Sequence, residues 1–127
     1  MRNPLALKSV ASLLTAAAVV AMNTSASASS ANNTLFDIGI EAGAQVARIG
    51  LNGGAQSNRP ACHNVAYNSY WAFDISTAKG KALLATAQAA LLAGKKVGVT
   101  GGTGCTNIAA SGTINVETVT VLILLAN

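Results

Sequence analysis

Cys62 and His63 are adjacent, and a thiolate beside an imidazole is a pairing that nucleophilic catalysis uses. The pairing works only while the sulfur is free, and a second cysteine, Cys105, stands elsewhere in the chain. His63 is the only histidine, and the two cysteines do not have the spacing of zinc ligands. Four carboxylates, Asp37, Glu41, Asp74 and Glu117, are scattered over the sequence. Hydrolysis by paired acids needs two of them held together, and no spacing here fixes a pair. They read as ordinary surface acids, with Asp74 placed to support a helix start. Gly101-Gly102-Thr103-Gly104 has the glycine density of a phosphate loop, but no Lys-Ser or Lys-Thr follows and no helix opens there. A tight turn between strands is the expectation. No serine lies in a nucleophile elbow, and no cofactor motif is present in the sequence. The chain therefore reads as a binding protein rather than an enzyme. Tyr67, Tyr70 and Trp71 cluster, with Arg59, Asn64 and Asn68 close by in sequence. Aromatic faces beside amides are what a carbohydrate site is built from, and these six residues are the candidate ligand-binding set. If Tyr70 and Trp71 share a strand they face opposite sides, one entering the core and the other reaching the surface or an interface.

The elements that must position these residues follow a leader. Arg2 and Lys8 open the chain, an apolar run extends from Val10 to Met22, and Ala26-Ser27-Ala28 closes it with small residues. This is the three-part pattern of a secretory signal peptide over residues 1–28, with cleavage expected after Ala28. The apolar run is short for a membrane span, so none is expected after cleavage. An exported protein with one cysteine pair oxidises it, so a Cys62–Cys105 disulfide is expected, worth about 4 kcal/mol by loop-closure entropy.

Residues 29–34 are small and polar and read as a flexible leader, leaving a single domain at 35–127. Between Leu35 and Leu51 the pattern predicts two short strands, or one bent strand with a bulge at Gly43. Asn52-Gly53-Gly54 is a turn signal that could close a hairpin. Cys62 to Phe73 is rich in strand formers. Ala78 to Ala93 reads as a helix capped by Ser76 or Thr77 and stopped by Gly94, with Leu83, Leu84, Ala87 and Leu91 facing a sheet. Val97 to Thr100 reads as a strand halted by the glycine run. Ile114 to Leu125 reads as a final strand whose two faces are both covered. The fold class is thus mainly β (α+β), with one helix packed on a small sheet or barrel.

The order Cys62, Trp71, Ser76-Thr77, Lys81-Ala82-Leu83-Leu84, Ala93-Gly94-Lys95-Lys96-Val97-Gly98-Val99, Cys105 and an apolar last strand resembles the small B subunits of pertussis-like AB5 toxins, as in subtilase cytotoxin and typhoid toxin. The resemblance runs from about Val46 to Leu124. It implies an OB-like barrel with one helix, assembly into a pentamer and binding of surface glycans. This chain is shorter than those subunits, lacks their extra cysteines, and has no segment that matches their sugar-binding residues. No binding residue is carried over, and no toxic A subunit is implied.

Composition narrows the partners. Eight Lys and Arg stand against four Asp and Glu, and loss of Arg2 and Lys8 with the leader leaves six against four. That excess is too small and too dispersed for a nucleic-acid footprint. Charged residues make up 9% of the chain, which leaves few groups to solvate large surfaces and points to self-association. The leading expectation is a secreted or periplasmic, non-enzymatic protein that recognises a glycan or another surface ligand as an oligomer. The rival is a small secreted or periplasmic inhibitor or structural protein without a sugar site. A hydrolase using His63 ranks third.

Overall fold

The computed structural model describes residues 28–41, 45–54 and 58–126. The signal-peptide reading, apart from Ala28, and the bulge expected at Gly43 lie outside the described residues. Five strands and one helix follow in the order β1 (Ser30–Ile40), β2 (Val46–Leu51), β3 (Tyr70–Asp74), α1 (Ala78–Ala93), β4 (Lys96–Asn107) and β5 (Asn115–Leu124). The strands close into a barrel in the order β1-β2-β3-β5-β4. All neighbours are antiparallel except β3 and β5, which run parallel and meet at Ala72 and Thr118. The chain is therefore mainly β, an OB-like barrel with one helix. Closure removes the exposed edges that an open five-stranded sheet would present.

The helix forms where its caps demand. Thr77 Oγ1 accepts from the Gly80 amide at 3.0 Å, and Gly94 ends the helix in the left-handed conformation that glycine takes without strain. Small residues seat it: Gly80, Ala87 and Ala90 are buried, while Leu83 and Leu84 pack at the margin of the core. At Gly80 the approach is so close that a Cβ would lie 1.6 Å from the Asp74 carbonyl oxygen. Leu91, expected in the core, is 37% exposed, because Ala87 and Ala90 already bring that end of the helix down onto the barrel. The interior is filled by Leu35, Ile49, Leu51, Trp71, Phe73, Val97, Val99, Val119 and Leu122.

Five expectations are corrected. Residues 29–34 are not a loose leader: Ser29 is buried, and Ser30 to Thr34 pair with β4 from Thr100 to Lys96. Backbone pairing needs no hydrophobic alternation, so a run of Ser, Ala, Asn and Thr can form a strand that its side chains do not announce. The segment after Cys62 is a loop containing a short 3-10 turn at Val65–Tyr67, and β3 starts only at Tyr70. Asn52-Gly53 does turn, but into that long loop rather than a tight hairpin. β4 runs straight through the glycines, with register shifts on either side of Gly101 that absorb them as bulges. Finally, the outer face of β5 is not covered in the single chain: Val121 and Ile123 are exposed, and so is Leu124 at the strand's end.

Candidate functional site

Two side-chain constellations stand out, one inside the barrel wall and one on its surface. The inner one centres on Glu117, which β5 points inward and which is fully buried. Its Oε2 accepts from Arg59 Nη1 at 3.0 Å and from the Ser29 hydroxyl. Its Oε1 accepts from the Ser29 backbone nitrogen at 2.7 Å. Gly101 leaves the room for this, since a Cβ there would sit 1.9 Å from Oε1. Arg59 comes from the long loop, stacks its guanidinium 3.8 Å above the Trp71 ring, and donates from Nη2 to the Asn68 carbonyl. Trp71 Nε1 donates to Ser29 Oγ at 3.2 Å.

His63 joins this cluster through the backbone. Its Nδ1 accepts the Glu117 amide proton at 3.0 Å, so the imidazole is held with Nδ1 unprotonated. Burial pushes its pKa below the ordinary 6.5, and the Arg59 charge pushes the same way against the pull of Glu117. No serine–histidine–carboxylate relay results: Ser29 bonds the carboxylate, and His63 bonds an amide. Cys62 is disulfide-bonded to Cys105, so a Cys62–His63 dyad has no free nucleophile.

The imidazole sets a pH dependence. A depressed folded-state pKa means that the unfolded chain takes the proton first as pH falls. Stability is therefore full above about pH 6.5 and declines as the pH drops through 6.5 towards the lower folded value. Urea midpoints at pH 7.5 and 5.5 should show this loss in the natural protein and a smaller one in His63→Gln. Equal losses in the two proteins would remove His63 as the cause.

The outer constellation lies across β1, β2 and β3. A register shift between Leu35 and Asp37 makes Phe36 the extra residue of a bulge, and its ring lies outward over Gly50. A Cβ at Gly50 would meet that ring at 2.6 Å, so the glycine is what lets the ring lie flat across the sheet. Phe36 meets Tyr70 edge-on at 5.6 Å between centroids, and Tyr70 meets Tyr67 in the same way at 5.9 Å. Arg48 runs over Gly39, reaches to 5.9 Å from the Tyr70 centroid, and is held by Glu41 at 2.7 Å and Asp37 at 3.2 Å. Burial opposes its charge, but the two carboxylates outweigh it and raise its pKa. The result is a half-exposed aromatic strip beside a cation fixed between two acids.

The sequence-predicted set divides between the two places. Tyr67 and Tyr70 belong to the outer strip. Trp71 is core and Arg59 is locked to Glu117, so neither faces a ligand; opposite-face alternation sends Trp71 inward, and the buried carboxylate captures Arg59. Asn64 is exposed, and its side chain accepts from the Ala66 amide to cap the 3-10 turn; the exposed Asn68 offers its carbonyl to Arg59. The sequence does not single out Phe36 or Arg48, and it presents Asp37 and Glu41 only as scattered acids. The outward glycines Gly39 and Gly50, each paired with or facing a long side chain, are the sequence signal that could have found them. Among the acids, Glu117 is the exception to the surface reading. Among the described residues no three His, Cys, Asp or Glu side chains gather as a metal set, and no helix is long and apolar enough to cross a membrane. No protein-family model, curated protein or solved structure matches this chain.

Proposed function

We propose that this is an exported, non-enzymatic protein, secreted or periplasmic, that binds a glycan through the outer strip. The observation that carries the reading is the Phe36 ring, 46% exposed and fixed edge-on to Tyr70, beside Arg48 and its two carboxylates. An aromatic face takes the apolar side of a sugar ring, and the fixed charged groups take its hydroxyls. In OB-like barrels the face around the second and third strands is a recurrent place for oligosaccharides, and the strip includes both. The resemblance to pertussis-like B subunits supplies the same ligand class.

Oligomerisation belongs to the same reading. Ile38, Ile40, Leu91 and Leu92, with Gln88, line an open apolar groove of about 630 Å³ between β1 and α1. Together with the bare face of β5 it offers apolar surface that copies of the chain can cover, and a ring of copies multiplies weak sugar contacts. These apolar surfaces also suit a protein partner, as an inhibitor or structural protein would require.

A glycan array probed with the exported protein is the test, with mass by light scattering read on the same preparation. Phe36→Ala should weaken binding about tenfold, the loss of roughly 1.4 kcal/mol expected for one well-placed aromatic, while leaving the circular dichroism unchanged. No retained glycan, or equal retention by Phe36→Ala, overturns the sugar reading. A monomer at micromolar concentration overturns the oligomer.

A further inference from the structure

Ser29 is unusually well held for a residue at the start of a barrel. It is 1% exposed, whereas Ala28 before it is exposed. Its polar groups together reach three strands of the fold. The nitrogen and hydroxyl bond Glu117 of β5, the hydroxyl also accepts from Trp71 of β3, and the carbonyl accepts from the Gly101 amide of β4 at 2.8 Å. Exposure thus changes to burial across the Ala28–Ser29 bond. That is also the bond at which the small residues of Ala26-Ser27-Ala28 place leader cleavage.

We infer that Ser29 is the first residue of the working protein, and that its new α-amino group is a built-in ligand of Glu117. The inference rests on the exported reading above. The processing step is a hydrolysis carried out by a leader peptidase. Water's oxygen joins the Ala28 carbonyl carbon, the C–N bond breaks with its electron pair on nitrogen, and water's two protons complete an ammonium on Ser29. The nitrogen already stands 2.7 Å from Oε1, so the new charge needs no movement to reach its partner. Oε2 is shared by Arg59 and the Ser29 hydroxyl, whereas Oε1 is held by the Ser29 nitrogen. Cleavage replaces a neutral donor on that oxygen with a charged one, which makes the stronger kind of hydrogen bond. Ala28, which leaves, is exposed, so the remaining ammonium protons face the surface end of the site rather than the core.

Two consequences follow from the geometry. Cleavage precedes folding, because a peptidase needs several extended residues and Ser30 to Thr34 are paired with β4 in the folded protein. The folded barrel then carries its own N-terminus as a plug in the wall beside Trp71.

An N-terminal serine with a free amine is a 1,2-amino alcohol, which periodate oxidises selectively; a serine inside a chain does not react this way. The full chain, expressed with its own leader in an exporting cell, is purified folded and its intact mass taken. The mass should correspond to a start at Ser29. Periodate should then convert Ser29 at least about 100-fold more slowly in the native protein than in urea, because reaction waits on opening of the fold. Glu117→Gln, if folded by circular dichroism, should speed the native reaction at least about tenfold. A start at Ser29 with native oxidation as fast as in urea overturns the plug and leaves the exported reading standing. So does a folded Glu117→Gln that oxidises as slowly as the natural protein. A start at a different residue within the first strand overturns the inference alone, and a retained leader overturns both.

Discussion

Glu117→Ala should destabilise the protein by about 3–5 kcal/mol, read as a lower urea midpoint at pH 7.5. The cost comes less from the lost attraction than from what is stranded. Arg59 stays in the wall, stacked on Trp71, with no carboxylate to accept from Nη1. Ser29 keeps a buried nitrogen that has lost its acceptor. Each stranded group carries a desolvation penalty that water met in the unfolded chain. A domain of this size has roughly 5–15 kcal/mol in total, so the variant sits near the edge of folding. Replacing the charges on both sides tests the cause. Glu117→Gln with Arg59→Met removes the Glu117–Arg59 charge pair while keeping most of the volume and an acceptor for Ser29, and should recover a good part of the loss. Glu117→Ala with an unchanged midpoint would mean that the carboxylate is a spectator in the wall.

The features legible in the sequence are those decided locally. The helix is bounded by Thr77 and Gly94, each of which acts within a few residues, and its limits are found where the pattern puts them. That Tyr70 and Trp71 face opposite sides follows from strand alternation; that Trp71 is the buried one does not. The disulfide follows from there being two cysteines in a chain with a leader pattern. The features that were not legible are set by partners far along the chain. β1 begins at Ser30 because β4 offers backbone groups to pair with, and Asn32 and Asn33 give no local sign of that. On β5 the shift at Thr100 and Gly101 inserts Thr120 as an extra residue, so Val119 and Leu122 turn inward together while Val121 turns out. A strict two-residue period cannot anticipate such a change. Glu117 looked like one of four surface acids because its partners, Arg59 and Ser29, stand 58 and 88 residues away. The one hint was Gly101 on the neighbouring strand, whose missing side chain makes room for the carboxylate.

Breaking the disulfide should cost about 2–5 kcal/mol and should be felt at Glu117. Cys62 and Cys105 are 43 residues apart, and releasing a loop of that size restores to the unfolded chain about 4 kcal/mol of conformational freedom in the entropic account. The position of the bond makes its effect local as well. Cys105 pairs in register with Glu117, and Cys62 is joined directly to His63, so the sulfur bridge clamps the long loop against the strand that carries the buried acid. That loop delivers both Arg59 and His63 to the cluster and is otherwise tied there by few backbone bonds, such as Asn64 to Asn115 at 2.8 Å. Cys62→Ser with Cys105→Ser should therefore lower the urea midpoint and shift the His63 ring resonances as the loop loosens. Adding Glu117→Ala to that pair should cost less than it does in the oxidised protein, because the cluster it breaks is already loosened. Full additivity of the two losses would separate the bridge from the acid. A reduced protein with the midpoint of the oxidised one would leave the loop held by its hydrogen bonds alone.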